Sequence, residues 1–325
     1  MDFDILYNKI KEYNTICIFG HVRPDGDCYG SLNGLKNIIL TTFPKKKVFC
    51  LTAHVDFLSF IGKMDDVEDE VFCNALAIVC DTATRDRIYD KRYKLCKEII
   101  KVDHHIILDN YGDYNIVDEN IAATSLLICR FLFTYPELKI NHSGASALYT
   151  GIITDTSNFR YRGVNLETFT LAGKLVELGV DVEFIDYNLS LESLRATKLK
   201  SFVYRSLKVT KNGVVYAKLT KTMIKYYNVS YDEAASLVSL LANIKECPVW
   251  ILFIGYPNEV RVRIRSNGPD INKLAEAYGG GGHQKAAGAS VKNWLNTHNL
   301  IKDADELVKC YKQNVAYEPK RGKTI

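Results

Sequence analysis

Short apolar runs, each closed by a Gly-, Asp- or His-containing loop, punctuate the first half of the chain. Thr15–Phe19, Lys47–Leu51, Leu76–Cys80 and Glu98–Val102 are of this kind. They lack the strict alternation of a half-buried strand, so they are expected to lie in a parallel sheet covered on both faces. Helical stretches lie between and after them at Ser31–Thr41, Ala123–Phe133, Ala145–Thr154 and Leu166–Leu178. The last stops at Gly179, a residue suited to the left-handed C′ position. Strands alternating with helices predict an α/β fold, a doubly wound parallel sheet.

The pattern changes after about Leu189. Leu191–Leu207 reads as one helix connecting two domains, with boundaries at 1–189, 190–208 and 209–325. Asn212-Gly213 between two β-rich runs predicts a type I′ hairpin. Ser230 and Glu233 form a capping box before a helix over Ala234–Ile244. Trp250–Gly255 and Val260–Ile264 flank Tyr256-Pro257-Asn258-Glu259, a second hairpin. The second domain is therefore expected to be smaller, α+β and antiparallel. The polar tail Lys320–Ile325 is expected to fray.

Composition narrows the class. Of 325 residues, 47% are apolar and 25% charged, which excludes collagen, coiled coil and bulk disorder. No apolar run reaches the ~18–20 residues of a membrane span. The acidic start lacks a signal-peptide pattern, so a cytoplasmic protein without a membrane partner is expected. A net charge of +4 is too small for the concentrated basic face that long duplex nucleic acid requires, and suits a small anionic substrate. Nine cysteines without C-x-x-C spacing read as reduced core thiols.

Candidate chemistry gathers at strand and helix ends. His21, Asp25 and Asp27 follow the first strand, Asp81 follows Leu76–Cys80, Asp103-His104-His105 follows Glu98–Val102, and Asp155 follows Ala145–Thr154. Taken singly, Asp-Gly-Asp is a turn, His-His a surface pair, and Asp after a strand an N-cap. Together they point to one crevice beyond the carboxyl ends of the strands. So many carboxylates in one place repel one another and raise their pKa values. Divalent cations resolve this, and carboxylate plus imidazole suits Mn²⁺, Fe²⁺, Co²⁺ or Zn²⁺. Two ions sharing a carboxylate, roughly 3.5–4 Å apart, activate water for attack at phosphorus. His54, His142 and His298 have no such context and read as surface residues.

In the second domain, Gly279-Gly280-Gly281-Gly282-His283 permits close backbone approach to an anion, and the small residues after it suggest a tightly packed helix start. Arg261, Arg263 and Arg265 alternate on one strand, hence on one face.

These motifs resemble the DHH phosphoesterase family over nearly the whole chain. The matching segments are His21-x-x-Pro24-Asp25-Gly26-Asp27, Val79-Cys80-Asp81-Thr82, Val102-Asp103-His104-His105 and Thr150-Gly151-Ile152-Ile153-Thr154-Asp155-Thr156. Arg265-Ser266 and Gly279–His283 with Ala286-Ala287-Gly288 resemble the DHH-associated substrate-binding domain. Cys28 stands where alanine is common, Ser157 where glycine is common, and Arg263 where a small residue is common; none is expected to touch a ligand. The resemblance implies two Mn²⁺ ions, with Co²⁺, Mg²⁺ or Fe²⁺ as substitutes. One would be held by His21, Asp25 and Asp81, the other by Asp27, Asp81, His104 and Asp155. It implies that Asp103 orients a histidine and that His105 faces the phosphate. Arg265, Ser266, Gly280, Gly281, Gly282 and His283 would hold the substrate. Chain length and the glycine loop favour the two-domain oligoribonuclease/pAp phosphatases, acting on short RNA oligonucleotides and small phosphorylated nucleotides. Cyclic-dinucleotide or pApA phosphodiesterases of the same family are the alternative, a nucleotide-binding regulatory module is the non-enzyme alternative, and a homodimer is left open.

Overall fold

A computed structural model describes residues 3–161 and 163–318. The chain divides into two compact units, Met1–Leu191 and Glu192–Ile325. The tail segment Lys320–Ile325 lies outside the described residues.

The first unit comprises α1 (Asp4–Glu12), β1 (Thr15–Phe19), α2 (Gly26–Thr42), β2 (Lys47–Leu51), β3 (Leu76–Cys80), β4 (Glu98–Asp103), β5 (Tyr114–Val117), α3 (Thr124–Thr134), α4 (His142–Asp155), α5 (Leu166–Glu177) and α6 (Val182–Ser190). The five strands form one parallel sheet in the order β2-β1-β3-β4-β5. One face packs Ile16, Ile18, Ile78 and Ile100 against Leu32, Leu35, Leu126 and Leu148 of α2, α3 and α4. The other buries Cys17, Phe19, Ala77 and Val79 under 3-10 turns at Asp69–Asn74 and Lys91–Leu95. Both faces are thus covered, which explains the unalternating strands. α2 begins five residues before its expected start, because the Asp25 carboxylate caps it by accepting from the N–H groups of Asp27 and Cys28.

A stripe of glycines sets the helix packing that the site requires. Gly26, Gly30 and Gly34 lie four residues apart on α2 and face α4. A Cβ on Gly30 would sit 2.5 Å from the Ala147 carbonyl, and on Gly26 2.3 Å from Thr154 Oγ1. The start of α2 therefore lies against the end of α4. That brings the Asp25–Asp27 turn toward Asp155.

The second unit comprises α7 (Leu194–Ser206), β6 (Lys208–Val209), β7 (Val214–Leu219), α8 (Lys221–Tyr227), α9 (Tyr231–Ser236), β8 (Val249–Gly255), β9 (Val260–Ser266), α10 (Asn272–Glu276), β10 (Gly281–Gly282), β11 (Ala286–Val291) and α11 (Thr297–Lys312). The sheet order is β10-β11-β9-β8-β7-β6. It is not wholly antiparallel as expected: β7 and β8 pair in parallel, with α8 and α9 in the crossover. α7 is no bare connector, since Leu199 and Val203 enter this unit's core with α8 and α9. α11 covers the opposite face through Leu300, Ile301, Ala304, Leu307 and Val308, the period of an amphipathic helix. Ser230 and Glu233 form the expected capping box, although the helix continues as a 3-10 turn over Leu237–Leu241. The β6–β7 turn is not type I′. Gly213 has φ +102° but Asn212 is not left-handed, and the Gly213 N–H donates to Thr210 O across a four-residue loop.

Candidate active site

The first unit gathers its acidic and imidazole residues at the carboxyl ends of β1, β3 and β4, three neighbouring strands. This is the edge where open α/β sheets place their ligands. Asp81 is the centre. It directly follows β3 and adopts φ +53°, a conformation that aspartate tolerates better than most residues. Its N–H still donates to Val102 O at 3.0 Å. Asp81 Oδ2 lies 3.4 Å from His21 Nε2, and Oδ1 lies 3.6 Å from His104 Nε2 and 3.7 Å from His105 Nδ1.

The backbone fixes how two of the imidazoles face. His21 Nδ1 lies 2.8 Å from Val22 O, and His104 Nδ1 lies 3.3 Å from Ile121 O. A carbonyl only accepts, so each Nδ1 carries a proton, and Nε2 is the ring atom turned toward Asp81, where it can ligate an ion once deprotonated. This is the orientation a metal-ligating histidine takes. His104 Nε2 is also 3.3 Å from Asp155 Oδ2. His105 differs: its Nδ1 donates to Asp103 Oδ1 at 2.8 Å, and 40% of its side chain is exposed, against 5% for His21 and 16% for His104.

Asp27 is buried at the N-terminus of α3. Its Oδ2 accepts from Thr124 N–H at 2.6 Å and its Oδ1 from Ser125 N–H at 2.9 Å. A helix N-terminus suits a carboxylate there. Thr124, Ser125 and the glycine stripe were not singled out from the sequence. The repeat Gly26-x-x-x-Gly30-x-x-x-Gly34 was the signal available for the stripe.

The electrostatics are those of a centre short of positive charge. Burial, then repulsion from Asp81 and Asp155, holds the Asp27 carboxyl well above its usual pKa. Burial raises Asp155 to about 6, with His104 opposing and Asp81 and Asp25 reinforcing. Burial would lower His21, but Asp25 and Asp81 outweigh it and push the imidazole well above its usual value. Burial would raise Asp103, but His105 and Lys101 hold it down to about 2.

Among the described residues, three groups of donor atoms lie close enough to share an ion: His21 with Cys28 and Asp81; Asp81 with His104 and His105; Asp27 with His104 and Asp155. The third matches most of one expected ligand set. The first corrects an expectation, because Cys28, thought remote from every ligand, puts its thiol beside His21 and Asp81. Its position in the first turn of α2 faces the sheet end, and burial raises its pKa to about 11. Asp25 lies farther out, 3.9 Å from His21 Nε2, and caps α2 at the same time. The donor set suits a divalent cation: two imidazoles aim Nε2 at the cluster, and the buried Asp27 and Asp155 carboxyls are held above their usual pKa for want of positive charge.

In the second unit, Arg261, Arg263 and Arg265 share one face of β9, paired across to Ser290, Gly288 and Ala286 of β11. Their neighbours on β11 are small, while on β8 Arg263 and Arg265 face Leu252 and Trp250, and Arg265 Nη1 donates to Ile264 O at 3.0 Å. Arg261 is already engaged, bonded to Glu259 and stacked on Tyr256. Other expectations need correction. Ser266 is buried, donating to Pro269 O and accepting from Gly268 N–H, so its hydroxyl serves a turn. Gly279 and Gly280 donate their N–H groups to Glu276 O and Ala275 O and cap α10, which removes two donors from the expected anion nest. The residues after His283 begin a strand and not a helix: Gly281 and Gly282 pair with Gly288 and Ala287. Close approach explains two of the glycines, since a Cβ on Gly280 would sit 2.0 Å from Gly288 O and one on Gly282 2.6 Å from Ala286 O, while Gly279 has φ +67°. His283 is exposed at the start of this tight turn.

Residues 15–152 match the family model "DHH family, N-terminal domain", and residues 211–310 match the DHHA1 domain. The chain is 35% identical over 306 residues to the bifunctional oligoribonuclease and PAP phosphatase NrnA of Bacillus subtilis, covering 94% of this chain and 98% of that one. It is 34% identical to the probable NrnA of Streptococcus mutans, covering 94% and 99%. Its fold is similar to that of an exopolyphosphatase-related protein from Bacteroides fragilis, at TM-score 0.82 and 24% identity over 96% of each chain. Among the described residues no helix is long and apolar enough to cross a membrane. With its acidic and imidazole residues gathered at the strand ends and both domains matched in order, the chain belongs to the DHH family of phosphoesterases, hydrolases of phosphoester bonds.

Proposed function

We propose that this chain hydrolyses short oligoribonucleotides, about two to five nucleotides long, and 3′-phosphoadenosine 5′-phosphate (pAp), using two Mn²⁺ ions. The observation that carries the chemistry is Asp81, with one oxygen facing His21 and the other facing His104. A carboxylate presented this way suits a bridge between two ions. His21, Asp25 and Asp81 would hold one ion, and Asp27, Asp81, His104 and Asp155 the other. When bound, such ions supply Lewis-acid polarisation of the phosphoryl group and lower the pKa of water. The substrate class is supported by the relatives, whose printed activities are oligoribonuclease and PAP phosphatase.

The protein's own residues then have distinct tasks. Asp103 accepts the Nδ1 proton of His105 and so leaves Nε2 to face substrate. From there His105 donates a proton to the leaving oxygen. The amides of Thr124 and Ser125 keep Asp27 fixed as charge changes around it. In the second unit, Arg263, Arg265 and His283 bind a substrate phosphate, while Ser266 and Gly280 support the turn and the helix cap that shape this region.

The test is hydrolysis by the Mn²⁺-loaded protein of pAp, pApA, a five-nucleotide RNA, a twenty-nucleotide RNA and cyclic di-AMP. Fast turnover of the first three with steep loss on the longest strand is expected. Equal or faster digestion of the twenty-nucleotide strand would overturn the substrate assignment, and preference for cyclic di-AMP would replace it with the cyclic-dinucleotide reading.

A further inference from the structure

Lys101 has no part in the chemistry described so far, yet it is among the largest fully buried side chains of the protein. It lies in β4, two residues before Asp103. A buried ammonium is tolerated only when its charge is paired and its three donors are met. Lys101 Nζ donates to Ala83 O at 3.0 Å and to Asp109 O at 3.1 Å, and lies 3.2 Å from Asp103 Oδ2. The Tyr111 ring closes over it, with its centroid 5.0 Å from Nζ.

These partners come from two walls of the active site, the loop after β3 and the end of β4 with the loop that follows it. Ala83 lies two residues past Asp81. Asp109 lies four residues past His105, and its carboxylate is gripped by Arg85 through Nε at 2.9 Å and Nη2 at 2.7 Å. Asp103 spends Oδ1 on His105 Nδ1 and on the N–H of His104. Its Oδ2 is buried and has no partner of hydrogen-bonding geometry, leaving the Lys101 ammonium as its neighbour. Among the described residues, Lys101 and His105 are the only ion-pair partners of Asp103.

We propose that Lys101 is a positioning residue for phosphoester hydrolysis: held by the carbonyls of Ala83 and Asp109, its ammonium fixes the Asp103 carboxylate and, through it, His105. A lysine that only filled the core would be replaceable by methionine, which matches its length, without effect on turnover. Here the ammonium serves two carbonyl acceptors and sets a charge beside a buried carboxylate oxygen, none of which methionine can do. The inference rests on the reading of His105 as the group that faces substrate.

The test uses full-length, Mn²⁺-loaded wild type, Lys101→Met, Asp103→Asn and the double variant, assayed on pAp. Lys101→Met is expected to lower kcat about tenfold to a hundredfold, the usual effect of losing a supporting partner, with KM and metal content close to wild type. In the Asp103→Asn background, Lys101→Met should change kcat by less than about twofold, because its target is already gone. Wild-type kcat in Lys101→Met, or losses that multiply in the double variant, would overturn the proposal. If Lys101→Met does not fold, the double variant leaves no unpaired charge inside, and its comparison with Asp103→Asn decides in the same way. A readout independent of turnover is the downfield proton resonance of His105 Nδ1–H in metal-free protein, expected in wild type and lost or shifted in Lys101→Met. Its persistence unchanged would also overturn the proposal. An inactive wild type that shows this resonance would instead count against the substrate assignment.

Discussion

Metal-free protein should lose stability as pH rises from 5 to 7.5, the reverse of what ordinary surface carboxylates produce. The cause is the proton demand of the empty centre. Asp155 has a folded pKa of about 6 against 3.8 for the free side chain. The fold therefore binds more protons than the unfolded chain in this window, and the slope of stability with pH is negative. For those two values the stabilisation lost between pH 5 and 7.5 is about 1.4 kcal/mol. With 31% of the side chain exposed, screening reduces this to about 1 kcal/mol. His21 acts with the same sign. Folded His21 keeps its proton, while the unfolded imidazole, near 6.5, releases it, which adds at most about 1.4 kcal/mol. Asp27 and His105 are also raised and reinforce the trend. Asp25 and Asp103 are lowered, so their stabilisation is already complete at pH 5. A total of about 2–3 kcal/mol corresponds to a fall in Tm of roughly 5–10 °C for a unit of this size. Calorimetry of chelator-treated protein at pH 5, 6, 7 and 7.5 measures it, with Asp155→Asn as the control whose fall should be smaller. Mn²⁺ should raise Tm more at pH 7.5 than at pH 5, because its ligands must be deprotonated. A metal-free Tm that is flat or rising across this range, or an unchanged fall in Asp155→Asn, would refute the electrostatic account.

Three further outcomes are expected. His105→Ala should lower kcat by about 10²–10⁴ while metal analysis of the purified variant stays at the wild-type value; loss of an ion would make His105 a ligand. Gly30→Ala should cost about 1–3 kcal/mol in denaturant unfolding, because the new methyl meets the Ala147 carbonyl and the Gly151 backbone and forces α2 from α4. It should also weaken Mn²⁺ binding, since the same contact sets Asp25 and Asp27 against Asp155; unchanged affinity would uncouple that packing from the site. His283→Ala should lower kcat/KM for pAp about tenfold to a hundredfold yet leave bis-p-nitrophenyl phosphate hydrolysis nearly unchanged, and equal losses on both would show a folding role.

Most of the first unit was legible in the sequence because its signals are local. Continuous apolar strands such as Leu76–Cys80 declare burial on both faces, and residues placed just past strand ends declare the ligand edge of a parallel sheet. His21, Asp81 and His104 could be named this way from spacing alone. β5 escaped because a four-residue edge strand carries too little periodicity, and α1 because it is only nine residues long, although Phe3, Leu6 and Ile10 lie at the spacing of one buried helix face. What only the tertiary structure decided is which atoms meet. The Gly26/Gly30/Gly34 stripe determines how near α2 comes to α4, and hence that Asp27 rests on the amides of Thr124 and Ser125, 97 and 98 residues away. Cys28 looked like a core filler, and its nearness to His21 follows from a helix that starts at Gly26 and not at Ser31. Nothing in the Glu98–Val102 run marks Lys101 as more than one charge within a strand, and its partners come from two loops that lie apart in sequence. The glycine run suggested an anion nest, but hydrogen-bond competition assigned two of its amides to the end of α10. A sequence states residue types and local periodicity; burial, donor competition and approach distance are properties of the packed chain, and the chemistry of this site depends on them.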